Sequence, residues 1–276
     1  PDRTFGQGQR LAVAYQPGPY HSVIVNWNPP TKEVLFVRSE FQALSLVYMH
    51  DPYGIALGAT DKSVVLIDAE SGYPLRAFGG PSSPVEGLAI DRGSHLAASS
   101  MSEVRIYTLS NSGEEKGRDI RVPGGWVSDI IWPCYLAAAV DNGRVQVLDE
   151  HGEKKTQSII MPEPGYEILL AARTDCSQLL AAQNKSVYRL VSGSWETLPS
   201  WEMPEVITAL AVSMDGSLAA VGLIDGTIRL MDMETGGEIH SLEGHAGWVT
   251  ALEFSPDGSV LASGGADGVV IIWGVE

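Results

Sequence analysis

The chain alternates between short apolar runs and tight turns. Runs such as ALEF, VLASG and VVIIW are rich in residues that favour strands and are separated by Asp-Gly, Pro-Asp-Gly or Asn-Gly turns. No segment of useful length shows the 3.6-residue periodicity of an amphipathic helix. The pattern therefore predicts an all-β chain of short antiparallel strands.

This strand pattern repeats about every 40 residues. Asp225-Gly226 lies 42 residues before Asp267-Gly268, and fainter copies run back to the start of the chain. A sheet of four short strands cannot bury both of its faces alone, whereas sheets packed around a ring can. The repeat predicts one domain over residues 1–276, a seven-bladed β-propeller of four-stranded antiparallel blades with an incomplete first and/or last blade. The approximate blades are 1–38, 39–80, 81–122, 123–162, 163–202, 203–244 and 245–276.

The last unit carries the most specific motif. Residues 244–273 include GHAGWVTALEFSPDGSVLASGGADGVVIIW, and this pattern resembles the WD-repeat β-propeller family. The resemblance is clear over residues 206–274 and fainter over the rest of the chain. It implies a hydrogen-bonded structural tetrad made of His245, Ser263, Asp267 and Trp273.

Three of the tetrad residues are also the residue types of a hydrolase triad. A nucleophilic serine needs an exposed, strained turn and an oxyanion hole, but Ser263 lies in a predicted central strand. The sixth unit retains only the aspartate, Asp225, and has apolar residues at the other three positions, namely Met203, Val221 and Met231. We expect a protein that is not an enzyme; a hydrolase using Ser263, His245 and Asp267 is the less favoured alternative.

The amino-acid composition limits the classes of partner that can be expected. Acidic residues outnumber basic ones by 34 to 18, which gives a formal charge of -16, and the few basic residues are dispersed. Nucleic-acid binding relies on clustered Lys and Arg, so no nucleic-acid partner is expected. There is no apolar run long enough to span a membrane and no visible signal peptide. We expect a monomeric, cytoplasmic domain with no membrane association.

Cofactor and metal motifs are also missing from the sequence. FGQGQR lacks the third glycine of a dinucleotide loop, and the histidines are scattered along the units. We expect no cofactor and no metal site. Cys134 and Cys176 fall in the first turns of adjacent units, and because packed sheets lie about 10 Å apart, two free thiols are expected.

The family resemblance also indicates where a partner binds. In WD-repeat proteins the commonest contact surface is the face that bears the start of each innermost strand and the residue before each turn aspartate. Carried over by position, this face consists of Glu86, Trp126, Ser128, Tyr166, Ile168, Gln183, Val206, Thr208, Ile224, Trp248 and Thr250. Exposed aromatic side chains suit a protein or peptide. We expect a non-catalytic scaffold, a module of a longer protein; a small-ligand or glycan-binding propeller is the alternative.

The ends of the chain raise a further expectation. The last unit stops after its third strand, and WD-repeat rings usually close with a strand from upstream of the first unit. Because Pro1 aligns within the first innermost strand, we expect the natural protein to continue upstream. Alternatively, Asp2 to Phe5 forms the outer strand and pairs with residues 269–274.

Overall fold

The computed structural model describes most of the chain, with short gaps. The described residues are 2–5, 11–18, 21–28, 33–38, 42–50, 53–91, 95–109, 117–122, 125–132, 134–148, 155–163 and 166–275. Within them, no helix is long and apolar enough to cross a membrane.

The strands of the described residues form six four-stranded sheets and one three-stranded sheet, all antiparallel and in chain order. Blade 1 contains β1 (Asp2–Phe5), β2 (Leu11–Gly18), β3 (His21–Asn28) and β4 (Glu33–Arg38). Blade 2 contains β5 (Ala43–His50), β6 (Tyr53–Ala59), β7 (Ser63–Asp68) and β8 (Pro74–Gly79). Blade 3 contains β9 (Gly87–Ile90), β10 (His95–Ser100), β11 (Glu103–Thr108) and β12 (Gly117–Arg121).

The second half of the chain continues the series. Blade 4 contains β13 (Val127–Ile131), β14 (Ala137–Val140), β15 (Arg144–Leu148) and β16 (Lys155–Ile160). Blade 5 contains β17 (Ile168–Ala172), β18 (Gln178–Gln183), β19 (Ser186–Val191) and β20 (Thr197–Glu202). Blade 6 contains β21 (Ile207–Val212), β22 (Leu218–Leu223), β23 (Ile228–Asp232) and β24 (Glu238–Leu242). The C-terminal sheet contains β25 (Val249–Phe254), β26 (Val260–Gly265) and β27 (Val270–Gly274).

The expectation of seven blades, with an incomplete first and/or last blade, is therefore corrected to six four-stranded blades, and the last unit is the incomplete one. The last unit forms a three-stranded sheet, because no strand in the described part of the chain pairs with the outer edge of β27. Asp2–Phe5 does not supply that strand. It pairs with β2 as the innermost strand of blade 1 and lies beside β5 and β25, so the alternative pairing with residues 269–274 is wrong.

Burial explains the sequence pattern within each blade. In blade 6 the inner strand alternates between buried and half-buried residues, the middle strand is buried almost throughout, and the outer strand is exposed. A middle strand contacts a neighbouring sheet on both faces and therefore reads as a continuous apolar run. The runs LAAVGL and VLASGG are such strands. Their small side chains allow neighbouring sheets to approach closely.

The two cysteines are joined in a disulfide, so the prediction of free thiols is wrong. Cys134 follows β13 and Cys176 follows β17, and their Cα atoms are 6.1 Å apart, which is within the range of a disulfide. The 10 Å spacing holds between sheet faces, but these turns extend beyond the faces and converge. The Tyr135 and Trp195 rings pack beside them in a T-shaped arrangement, with centroids 5.1 Å apart.

Candidate functional site: a pocket on one end face

One end of the propeller is formed where each inner strand begins and each middle strand ends. A backbone hydrogen bond recurs there and joins the residue before the inner strand to the turn after the middle strand. It links Ala266 to Trp248, Ile224 to Val206 and Asp141 to Trp126, each with an N–O distance of 2.9 Å. This recurring bond places the residues of the predicted contact face at one edge of successive sheets.

Most inner strands bulge at this edge. The register of blade 6 shifts between Ile207 and Ala209, and that of the C-terminal sheet shifts between Val249 and Ala251. The residues left out of the pairing are Thr208 and Thr250. A β-bulge re-aims a side chain that would otherwise follow the pleat, and both threonines line a pocket.

This pocket, which we call the end-face pocket, has a volume of about 590 Å³. It lies between blade 5, blade 6 and the C-terminal sheet. Its residues are Tyr166, Glu167, Leu169, Asn184, Val206, Ile207, Thr208, Ile224, Trp248 and Thr250. Three of its large side chains are well exposed: Tyr166 at 48%, Ile224 at 47% and Trp248 at 52%.

Six of the eleven predicted face residues line this pocket. Two of the other five lie in blade 5. Ile168 is fully buried and Gln183 is 1% exposed, so neither presents its side chain to a partner. Blade 5 has no bulge here: Ile168 pairs with Gln183, as Val249 pairs with Gly265. The positions carried over from the family pattern to blade 5 were therefore wrong by one residue.

The corrected register identifies three pocket residues that the sequence did not reveal. Leu169 takes the place of Thr250, Glu167 takes the place of Trp248, and Asn184 forms the turn after the middle strand. The length of the turn after the middle strand of blade 5 could have revealed this register. Gln183 pairs with Ser186, so Asn184 and Lys185 form a two-residue hairpin loop, whereas Gly265 and Val269 enclose three residues in the C-terminal sheet.

The buried side chain of Gln183 forms hydrogen bonds to the backbone at the rim of the pocket. Its side-chain oxygen accepts a hydrogen bond from the backbone N–H of Glu163 at 3.0 Å, and its amide nitrogen donates to the carbonyl of Tyr166 at 3.4 Å. The Asn184 amide donates to the Glu163 carboxylate at 2.8 Å. These bonds fix the segment that presents Tyr166.

The remaining predicted residues lie on blades 3 and 4, outside the pocket. The indole N–H of Trp126 donates to the carboxylate of Glu86, and Trp126 is about half exposed. The Ser128 hydroxyl donates to the carbonyl of Ile168 at 3.2 Å, which joins blade 4 to blade 5. The end face thus has two separate features, the end-face pocket and the Glu86–Trp126 pair.

The C-terminal sheet contains the hydrogen bonds expected of the tetrad. The indole N–H of Trp273 donates to Ser263 Oγ at 2.8 Å, and His245 Nε2 lies 2.8 Å from the same oxygen. His245 Nδ1 lies 3.2 Å from Asp267 Oδ2. Gly265 is required beside this pair, because a Cβ there would collide with the His245 ring and the Asp267 carboxylate.

The Asp267 carboxylate ties this network to the end face. It accepts hydrogen bonds from the backbone N–H groups of Val269 at 2.9 Å and Ala246 at 2.8 Å. The Val269 bond, then the Ala246 bond and the His245 ring hold the pKa of Asp267 below its ordinary value, against an opposing effect of burial. The network therefore fixes the GHAGW segment that carries Trp248 to the pocket.

The same geometry bears on the hydrolase alternative. Ser263 Oγ is the shared partner of Trp273 and His245, and Ser263 has no exposed surface. A nucleophile must reach a substrate atom, and this oxygen lies inside the sheet packing. The arrangement gives no support to catalysis by Ser263.

Glu167 is the acidic residue among those that line the end-face pocket. The residue is exposed at the pocket mouth, but its carboxyl loses part of its water shell there, and this desolvation raises the pKa of Glu167 above its ordinary value. Across the described residues, no group of three or more His, Cys, Asp or Glu side chains is placed to hold a metal ion. The chemistry of the pocket is that of aromatic and apolar surface around one carboxyl.

Comparisons with known proteins agree with the repeat pattern and the tetrad. Residues 236–274 match the family model described as WD domain, G-beta repeat. Residues 167–248 match the model of the anaphase-promoting complex subunit 4 WD40 domain. The segment 167–274 therefore carries WD-repeat sequence. Together the two matched segments include every residue of the end-face pocket except Tyr166.

The solved structures agree on the fold. A chain in the crystal structure of the mitotic checkpoint complex superposes on this chain with a TM-score of 0.84 at 17% sequence identity. The match covers 99% of this chain and 88% of that chain. No curated protein sequence matches. Since 1719 chains of solved structures match in all, the likeness establishes the fold without selecting a partner.

Proposed function

We propose that this WD-repeat propeller is a non-catalytic interaction module that binds a protein or peptide segment in the end-face pocket. The observation that carries the proposal is the gathering of Tyr166, Ile224 and Trp248, each about half exposed, around one pocket. Large exposed side chains grouped around a concavity are typical of interface hot spots, which are enriched in Trp and Tyr.

Two further observations support this proposal. WD40 propellers are generally scaffolds without catalytic activity, and the structural neighbour belongs to a multi-protein complex. The rim of the pocket is held by hydrogen bonds from Gln183 and Asn184 on one side and by the tetrad on the other. A preformed surface loses little conformational entropy on binding.

The size of the pocket favours one second candidate, a small ligand or a glycan. Its volume of about 590 Å³ falls within the range of small-molecule sites, about 300–1,000 Å³. Aromatic rings at the mouth also suit stacking on a sugar. Thermal stabilisation by a glycan or metabolite library, with no protein partner recovered, would favour this candidate over the first.

The test of the proposal is affinity capture from native extract with matched variants. We expect Trp248→Ala and Tyr166→Ala to lose a partner that the wild type retains, with affinity for the purified partner reduced by more than about tenfold. Ile239→Ser is the control, because Ile239 is equally exposed but lies on the outer strand β24. Recovery of the same partners by Trp248→Ala would rule out the pocket as the binding surface, provided that all variants melt at the wild-type temperature.

A further inference from the structure

Among the described residues, the carboxyl of Glu167 has no partner of its own. It makes no ion pair and no side-chain hydrogen bond within the described residues, although it lines the end-face pocket. Removing water from a carboxylate without replacing it by a partner costs free energy. A partner that brings a positive charge to this position would recover that cost.

The neighbouring acidic side chains differ from Glu167 in this respect. Glu163 accepts a hydrogen bond from Asn184, and Glu205 lies 3.4 Å from the ammonium group of Lys185. Lys185 in turn donates to the carbonyl of Pro204 at 2.6 Å, so it is already engaged on the blade 5–6 side. Glu167 is the acidic group that the pocket leaves for a ligand.

The surroundings of Glu167 favour arginine over lysine. Guanidinium groups pair with a carboxylate through two parallel N–H donors and also stack on aromatic faces. The pocket offers a carboxylate together with the rings of Tyr166 and Trp248. The net charge of -16 attracts a basic partner over longer distances.

We propose that the end-face pocket binds an arginine side chain on a peptide segment of the partner, with the guanidinium paired to the Glu167 carboxylate beside Tyr166 and Trp248. This inference rests on the proposed function and specifies the chemistry of its ligand. Apolar residues flanking the arginine would occupy the surface of Val206, Thr208 and Ile224, since the pocket is larger than one side chain.

The test begins with a phage-displayed library of random dodecapeptides selected on the wild-type protein. Selected sequences are expected to share an arginine, and their affinities are then measured with fluorescein-labelled synthetic peptides. Replacing that arginine by citrulline, which keeps the shape and removes the charge, is expected to weaken binding about ten- to a hundredfold. Lysine at the same position is expected to weaken it several-fold.

Variants of the protein provide the reciprocal measurement. Glu167→Gln is expected to weaken the arginine peptides by the same factor and to leave the citrulline peptides unchanged. Glu205→Gln is the matched control, because it removes an equal charge from a carboxylate that already has Lys185 as its partner. At physiological salt its effect is expected to stay below about twofold.

The outcomes separate this inference from the function on which it rests. Peptides that bind wild type, lose binding in Trp248→Ala, but lack arginine and ignore Glu167→Gln would overturn the arginine proposal and leave the binding function intact. Equal affinity for arginine and lysine would overturn the choice of guanidinium. A library that yields no binder, or only binders indifferent to Trp248→Ala, would overturn both.

Discussion

In the C-terminal sheet the residue at the centre of the middle strand is Ser263, and in blade 6 the residue 42 positions earlier is Val221. Both are fully buried. Ser263 is the shared hydrogen-bond partner of Trp273 and His245. Val221 instead packs in an apolar cluster with Met203 and Met231, the counterparts of those two residues. At equivalent positions, the C-terminal sheet thus has a hydrogen-bonded network and blade 6 has apolar packing.

The backbones of the two sheets share the same local features despite this difference in side chains. Both inner strands carry a bulge at the same position, and both turns place an aspartate that binds the N–H two residues later, Asp267 to Val269 and Asp225 to Thr227. The aspartate turn is common to both sheets, while the residues at the remaining three tetrad positions all differ. A buried polar network is stable only if every member is satisfied, so the three change together.

The disulfide between blades 4 and 5 is a third way to join neighbouring sheets, and removing it is expected to have the largest effect. Cys134 and Cys176 are 42 residues apart, and closing a loop of that length stabilises a protein by up to about 4 kcal/mol in the chain-entropy account. We expect Cys134→Ser/Cys176→Ser to lower the free energy of unfolding by about 2–4 kcal/mol, measured by thermal and urea unfolding.

Reduction provides the control for the cysteine variant. Wild-type protein treated with a reductant is expected to unfold at the same temperature as the double variant, which itself shows no response to the reductant. If oxidised and reduced wild type unfold together, the disulfide contributes nothing to the junction of blades 4 and 5, and packing of Tyr135 and Trp195 supplies its stability.

Exchanging Ser263 and Val221 tests the comparison directly. Ser263→Val leaves the Trp273 N–H and His245 without their partner in a buried site, at an expected cost of about 3 kcal/mol. Val221→Ser places a hydroxyl among methionines and is expected to cost about 2 kcal/mol. Ser241→Val on the exposed strand β24 is the control and is expected to change stability by less than about 0.5 kcal/mol.

A graft of the whole apolar set sharpens this result. His245→Met/Ser263→Val/Trp273→Met gives the C-terminal sheet the residues of blade 6, and we expect it to be more stable than Ser263→Val alone, because no buried donor is then left unpaired. A triple variant whose loss equals or exceeds the sum of the single losses would show that the tetrad is not exchangeable as a set.

The tetrad was expected from the resemblance to the WD-repeat family, and the residues that carry this resemblance lie within one repeat. A large ring with one N–H, a serine in a small-residue strand and an aspartate before a glycine specify their partners within one repeat. The strand order and the three-strand ending of the last unit follow from the same repeat pattern. These features depend on residues close to one another in the chain.

The pocket and the disulfide depend on relations between repeats, and there sequence reasoning was wrong in blade 5. Asn184 has a φ of 53°, the left-handed conformation that a two-residue hairpin requires, and this shorter turn moves the register by one residue. The alignment therefore favoured Ile168 and Gln183 over Leu169 and Glu167. Likewise, the distance between the Cys134 and Cys176 turns depends on how blades 4 and 5 pack against each other. The sequence of a single repeat does not specify that packing.

Acid titration is expected to give the smallest effect and to distinguish the turn aspartates from Glu167. The Val269 N–H, Ala246 N–H and His245 hold the pKa of Asp267 down. Burial raises the pKa of Asp225, but the hydrogen bonds from Thr227 and the charge of Arg229 together outweigh it, so this pKa also lies below its ordinary value. A lowered native pKa contributes stability that is fully present above the unfolded value of about 3.9 and is lost as the pH falls through the native pKa.

We therefore expect Asp267→Asn and Asp225→Asn to lower the melting temperature at pH 6 by on the order of 2 °C, with the difference from wild type shrinking below about pH 4. Glu167→Gln is expected to behave in the opposite way. Because desolvation raises the pKa of Glu167, its ionised form costs stability at neutral pH, and the glutamine variant is expected to melt at or above the wild-type temperature there. A lower melting temperature for Glu167→Gln at pH 6 would show that this carboxylate has a stabilising partner within the fold, and that it is not held for a ligand.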